Sequence, residues 1–332
     1  MKPLLGLPVR PLLVLLLCIC ACEVGLKVYG YKPFAAHPIE DNIVWLPTIP
    51  LYKDSLLGIR LQSGKFSVIY NNTHTIELNN NSEGFRVTGN NDSITSERTA
   101  GSINLLGDSY VQGCGVNDNQ TFGWMLQNEF KNYKVKNYGA PNYGVASVYN
   151  LVTKFIPEPK PKDIYIYYYT CEHNNRLIYR NMKLSDAMPL LKEKVGLVTL
   201  NSKLESTFHS FSYEGLALNS YSSLINFFED LYLERLDNTL NLESKTNATQ
   251  AIIYMSEYCK KRGATFIVAS IRNDEEDKEF LEKLSSLGVE TIDVSVDLQD
   301  KNYNMQPFDD HPNPRAHLEY YLKTSRVISQ KI

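Results

Sequence analysis

Five short apolar runs lie between Ser102 and Val294, each followed by a loop. The first, Ile103-Asn104-Leu105-Leu106, ends at Gly107. The second covers residues 133–138 and ends at Gly139. The others are 164–169, 264–271 and 289–294. The third run is apolar or aromatic almost throughout, as suits a strand covered on both faces. Helical patterns alternate with these runs. Phe122, Met125, Leu126 and Phe130 share one face of a helix that starts near Gln120, with Asp118 or Asn119 as its cap. Val145, Val148, Tyr149, Val152 and Phe155 share the buried face of another, which Pro157 ends. Asp274-Glu275-Glu276-Asp277 is the acidic first turn of a third, as the helix dipole favours. A closing helix starts near Pro314, with Leu318, Tyr321 and Leu322 as its apolar face. This alternation predicts an α/β fold of three layers, a parallel sheet with helices on both sides.

The rest of the chain divides around that core. Residues 1–33 form a targeting segment. Lys2 and Arg10 precede an apolar run, 12–22, that stops at Glu23. A positive start before a short apolar core reads as a signal peptide or signal anchor. With no convincing small-residue cleavage site the anchor is favoured, which places the globular part outside the cytoplasm. Residues 34–100 read as an irregular β-rich N-terminal segment, with short strands around Phe66-Ser67-Val68-Ile69-Tyr70 and Thr75-Ile76-Glu77-Leu78. Residues 101–332 make up the α/β domain. An aromatic insertion at 176–250, helical in pattern and without a strong strand, suits a lid or helices packed on the core.

Composition excludes several functions. A formal net charge of −3 and the lack of a basic stripe argue against nucleic-acid binding. No His, Cys, Asp or Glu spacing resembles a metal site, and no glycine-rich phosphate loop occurs, so no cofactor is expected. Cys18, Cys20 and Cys22 belong to the targeting segment. Cys114, Cys171 and Cys259 are scattered and read as buried small hydrophobes.

In a parallel sheet, ligands bind where the strands end at their carboxyl edge. Here those ends carry Gly107-Asp108-Ser109, Asn137-Tyr138-Gly139, Cys171-Glu172-His173-Asn174-Asn175 and Phe308-Asp309-Asp310-His311-Pro312-Asn313. A serine hydroxyl becomes a nucleophile when an imidazole takes its proton. The imidazole in turn needs an acceptor for its second nitrogen. A serine, a histidine and aspartates on one sheet edge are the residue types this chemistry requires. His173 is a rival base, and His317 reads as a helix-face residue.

The four blocks, in this order, resemble those of the SGNH, or GDSL-like, hydrolases. Upstream, Asn81-Ser82-Glu83-Gly84-Phe85-Arg86 resembles an Asn-x-x-Gly-Phe-Arg motif that often precedes the catalytic domain in membrane-anchored members of that family. The resemblance implies a three-layer, flavodoxin-like parallel sheet. It implies Ser109 as nucleophile, His311 as general base and Asp309 as the acid that orients it, with Asp310 as the alternative acid. It also implies an oxyanion hole from the backbone N–H groups of Ser109 and Gly139 and the amide of Asn174, with Asn175 as the alternative donor. Asp108 would be structural. The function implied is a serine esterase acting on O-acyl, in the first place O-acetyl, esters of a small molecule or glycan. The alternatives are an O-acyltransferase for envelope glycans, or a non-catalytic carbohydrate-binding or assembly protein.

Overall fold

The structure, a computed structural model, describes residues 9–34, 43–90, 100–175, 194–210 and 216–332, apart from the side chains of Val9, Asn175 and residues 236–242. Helix α1 (Val9–Val28) leads into five short strands: β1 (Ile43–Leu46), β2 (Leu51–Asp54), β3 (Gly58–Leu61), β4 (Gly64–Tyr70) and β5 (His74–Asn80). Strands β1, β4 and β5 form one antiparallel sheet, and β2 and β3 form a hairpin. The two patches read as strands from sequence lie in β4 and β5.

The α/β part follows. Strand β6 (Gly101–Leu106) is joined through the short α2 (Ser109–Gln112) and α3 (Phe122–Glu129) to β7 (Tyr133–Asn137). Then come α4 (Val145–Asn150), extended by a π-helical turn at Leu151–Phe155, and β8 (Ile164–Tyr169). The short α5 (Glu172–Asn175), a hairpin of β9 (Gly196–Leu200) and β10 (Ser206–Ser210), and the long α6 (Ser223–Lys260) precede β11 (Thr265–Arg272). Helix α7 (Glu275–Ser286), β12 (Glu290–Val296) and α8 (Pro314–Ser329) complete the fold.

All five predicted runs meet in one parallel sheet ordered β7-β6-β8-β11-β12. In chain order the strands lie 2-1-3-4-5, which is the flavodoxin-like arrangement. Two apolar clusters cover its faces. One gathers side chains of α4, α6 and α7, such as Val148, Ile252 and Phe280; the other gathers those of α3 and α8, such as Leu126 and Tyr320. Central strand β8 is buried at all six positions. Four of the six are tyrosines, and their hydroxyls need partners because an unpaired buried polar group costs about 1–3 kcal/mol. Tyr168 finds Thr324 on α8 at 3.1 Å.

That need explains one departure from the sequence reading. Of the expected inner face of α8, Tyr321 is partly buried against the core, but Leu318 and Leu322 are exposed; Ala316, Tyr320, Thr324 and Ile328, spaced by four, face the sheet. Hydrophobicity alone misplaces the centre of the stripe when the sheet beneath presents a hydroxyl. The cap of α3 also moves. Thr121 accepts from the Trp124 N–H, while Asp118 opens a preceding 3₁₀ turn and is engaged elsewhere. The 176–250 segment contains the β9–β10 hairpin besides α6, and its residues 176–193 and 211–215 lie outside those described.

Candidate active site

The order of the sheet reverses between β6 and β8, the switch point where ligands of such folds bind. Ser109 sits there, as the first residue of α2, immediately after β6. Gly107 turns the chain with a φ of +157°, and a β-carbon on it would come within 2.4 Å of Val111. Asp108 caps α2 by accepting from the Tyr110 N–H at 3.0 Å. Ser109 is left half-exposed at the edge of the sheet.

His311 arrives from the loop between β12 and α8. This loop is tied down at both ends. The Met305 N–H donates to the His311 carbonyl at 2.9 Å, Asn304 bridges Pro312, and Asn313 caps α8 through the Arg315 and Ala316 N–H groups. The imidazole Nε2 then lies 3.0 Å from Ser109 Oγ, and Nδ1 lies 2.6 Å from Asp309 Oδ1. The same Asp309 oxygen accepts the His311 backbone N–H at 3.1 Å. With the proton on Nδ1, Nε2 can accept from the serine. Asp310 points away, accepting from Gln306. The structure therefore brings Ser109, His311 and Asp309 into one chain of hydrogen bonds and leaves Asp310 outside it.

Electrostatics follow the geometry. Burial opposes charge on His311, but the hydrogen bond to Asp309 and the charges of Asp309, Asp108 and Asp310 outweigh it and raise its pKa. Burial likewise pushes Asp309 up, and its bonds to His311 outweigh that and hold it below the usual carboxylate range. Burial drives His317 down to about 3, so it is neutral. Burial pushes the thiols of Cys114, Cys171 and Cys259 up to about 12, so none is a ready thiolate. Among the described residues no three His, Cys, Asp or Glu side chains cluster as a metal would need.

The remaining predicted residues have other partners in this structure. The Gly139 N–H donates to Asn137 Oδ1 at 3.0 Å, and Asn137 in turn donates to the Val111 carbonyl at 2.7 Å. A β-carbon on Gly139 would meet the Gln112 nitrogen at 2.4 Å, so glycine is what lets this loop lie against α2. The Asn174 amide donates to the Tyr169 hydroxyl at 2.5 Å. His173 Nδ1 lies 2.9 Å from the Tyr167 hydroxyl, and its Nε2 lies 3.1 Å from Asp108 Oδ2. The block after β8 thus serves the tyrosines of β8. The Asn175 side chain lies outside what is described.

One residue vital to this arrangement went unread as such in the sequence. In Asn81-Ser82-Glu83-Gly84-Phe85-Arg86, the Asn81 carboxamide accepts from the Glu83 and Phe85 N–H groups, closing a turn. Gly84, at φ +88°, lies so close to the Leu61 carbonyl that no side chain fits. The turn delivers Arg86 into the interior, 1% exposed. There it donates to Asp118 at 2.5 Å and to the carbonyls of Gly113 and Val116 at 3.0 and 2.8 Å. Those carbonyls belong to the loop beside His311: a β-carbon on Gly115 would stand 3.5 Å from that of His311. The β1-β4-β5 sheet also packs on the histidine loop through Val68, Tyr70, Ile76 and Met305. The motif itself was the available signal, since an arginine at a fixed place after a turn glycine asks for a buried acceptor set.

No protein-family model and no curated protein matches this sequence. Solved structures similar in shape include a member of the lipolytic G-D-S-L family from Veillonella parvula, at 12% identity and a TM-score of 0.41, with 70% of this chain and 100% of that one covered. Another is described as a putative lipolytic protein of the same family from Desulfitobacterium hafniense, at 13% identity and 0.35, with 68% and 98% covered. A third is a catalytic mutant of an acetylxylan esterase from Geobacillus stearothermophilus, at 10% identity and 0.35, with 69% and 94% covered.

Proposed function

We propose that this protein is a serine ester hydrolase acting on O-acyl groups, in the first place O-acetyl groups of a small molecule or glycan. The observation that carries the reading is the Ser109–His311–Asp309 hydrogen-bond chain at the switch point of the sheet. Ser109 Oγ attacks the ester carbonyl carbon while His311 Nε2 takes its proton. Asp309 keeps Nδ1 protonated and stabilises the imidazolium that forms. The tetrahedral intermediate collapses, the C–O bond to the alcohol breaks, and His311 returns the proton to that oxygen. A water, deprotonated by His311, then attacks the carbonyl of acyl-Ser109; the bond to Ser109 Oγ breaks, His311 returns the proton to that oxygen, and the acid leaves.

The Ser109 N–H opens α2, where a helix has no internal acceptor for it, and is the proposed oxyanion donor. The Gly139 N–H and the Asn174 amide would join it only by exchanging their present partners, Asn137 and Tyr169. The apolar helix Arg10–Val28 supports export or anchoring, with the site outside the cytoplasm. Turnover of p-nitrophenyl acetate tests the proposal: wild type should show a burst of p-nitrophenol and steady hydrolysis, and Ser109→Ala neither. Equal turnover by both would overturn it. A burst without steady turnover, relieved by an added alcohol, would make the acceptor something other than water.

A further inference from the structure

Helix α1 does not end free. Its Glu23 is built into the start of α6, accepting from the Ser222 hydroxyl at 2.8 Å and from the Ser223 and Leu224 N–H groups at 3.0 and 2.9 Å. Lys27 adds an ion pair at 2.9 Å. The chain that follows continues the contact. Tyr31 donates to Asp230 and packs edge-on against Phe227, and Asn226 donates to the Lys32 carbonyl at 3.0 Å. If α1 were cut away after Cys22, the Glu23 cap would lose the helix that presents it.

Length adds a second constraint. Only twelve uncharged residues separate Arg10 from Glu23, about 18 Å of helix, whereas a bilayer's hydrocarbon core is about 30 Å thick. The full span Arg10–Val28, 19 residues or about 28 Å, comes close to that thickness, and it carries Glu23 and Lys27 in its last turns to the membrane boundary. The start of α6, bonded to Glu23, comes down with them. The carboxylate can tolerate that level because its oxygens are already hydrogen-bonded.

The surface at that level is apolar and aromatic. Leu218, Tyr221, Phe228, Leu231 and Tyr232 are all exposed, Tyr221 at 78% and Tyr232 at 65%. Phe228, Leu231 and Tyr232 share one face of α6 by their spacing of three and four. Amphipathic aromatic rings of this kind collect at membrane–water boundaries. We propose that α1 is a retained signal anchor, and that the loop at 216–222 and the first turns of α6 are seated in the interface of the leaflet that α1 enters. The occupant of the aromatic face is therefore the bilayer surface. This rests on membrane insertion of α1, part of the reading above.

The test uses the full chain reconstituted in phosphatidylcholine–phosphatidylglycerol vesicles. p-Azidophenylalanine replaces Phe228, Tyr232 or, as a control, the exposed Glu282 of α7, and carries an environment-sensitive fluorophore. Headgroup spin-labelled lipid should quench the probes at 228 and 232 at least twofold more than the probe at 282, and aqueous iodide should do the reverse. Equal quenching at all three positions would overturn the seat. Protection of 228 and 232 from both quenchers would place a protein on the face and overturn it too. The intact mass of the chain purified from membranes separates the two parts: loss of the first 22 residues would overturn the anchor itself.

Discussion

Two aspartate–histidine pairs lie near Ser109, Asp309 with His311 at 2.6 Å and Asp108 with His173 at 3.1 Å. They differ in what the second ring nitrogen meets and in their access to water. His311 turns its second nitrogen to a serine hydroxyl, and its side chain is 28% exposed. His173 turns its second nitrogen to the Tyr167 hydroxyl and is fully buried. An imidazole that must gain and lose a proton needs a reacting partner and room for a substrate. One sealed between a carboxylate and a core tyrosine has neither, and its work is to satisfy Tyr167 and fix Asp108, which caps the helix that starts at Ser109.

The largest expected effects would break this comparison outright. Ser109→Ala and His311→Ala should each lower kcat by about 10⁴–10⁶, while His173→Gln should keep kcat within about tenfold and lose stability in urea melts. An equal collapse of kcat in a folded His173→Gln protein would make His173 the working base. Asp309→Asn should cost about 10⁴ in kcat with Asp310→Asn nearly silent, which steady-state rates would show.

Arg86→Ala should destabilise the fold by about 3–5 kcal/mol, because Asp118 would keep a buried charge without its partner. Chemical denaturation reads this loss, and a shift below 1 kcal/mol would remove Arg86 as the support of the loop beside His311. Asn174→Ala should cost about 1–3 kcal/mol of stability by orphaning the Tyr169 hydroxyl, with kcat close to wild type. A fall in its kcat of about 10²–10³ would instead recruit that amide to the oxyanion.

The smallest effect is on pH dependence. His311 must be neutral to accept the serine proton, and its pKa is raised, so kcat/KM should rise with pH through a midpoint above 6.5. Asp310→Asn removes one of the charges that raise it and should move the limb to lower pH. A midpoint below 6.5 in wild type would contradict the coupling to Asp309. The matching stability has the opposite sense: it is fully present below the unfolded histidine value and is lost as pH rises through the raised folded one.

The sheet and the residues of the candidate site were legible because they rest on local rules. Apolar runs of strand length, each followed by a loop and a helical repeat, determine a parallel sheet, and a parallel sheet gathers its strand ends on one edge. The same rule places Ser109 and the Asp309-Asp310-His311 run on that edge without long-range knowledge; the choice of Asp309 over Asp310 and of His311 over His173 came from the resemblance to the SGNH hydrolases. Four things were left to tertiary structure: the partners of Asn174 and Gly139, the inward stripe of α8, the reach of Arg86 across 32 residues to Asp118, and the docking of Glu23 on a helix that starts 200 residues later. Periodicity says which face of an element is apolar. It does not say which distant polar atom a buried hydroxyl or guanidinium will meet, because that depends on which surfaces the folded chain brings into contact.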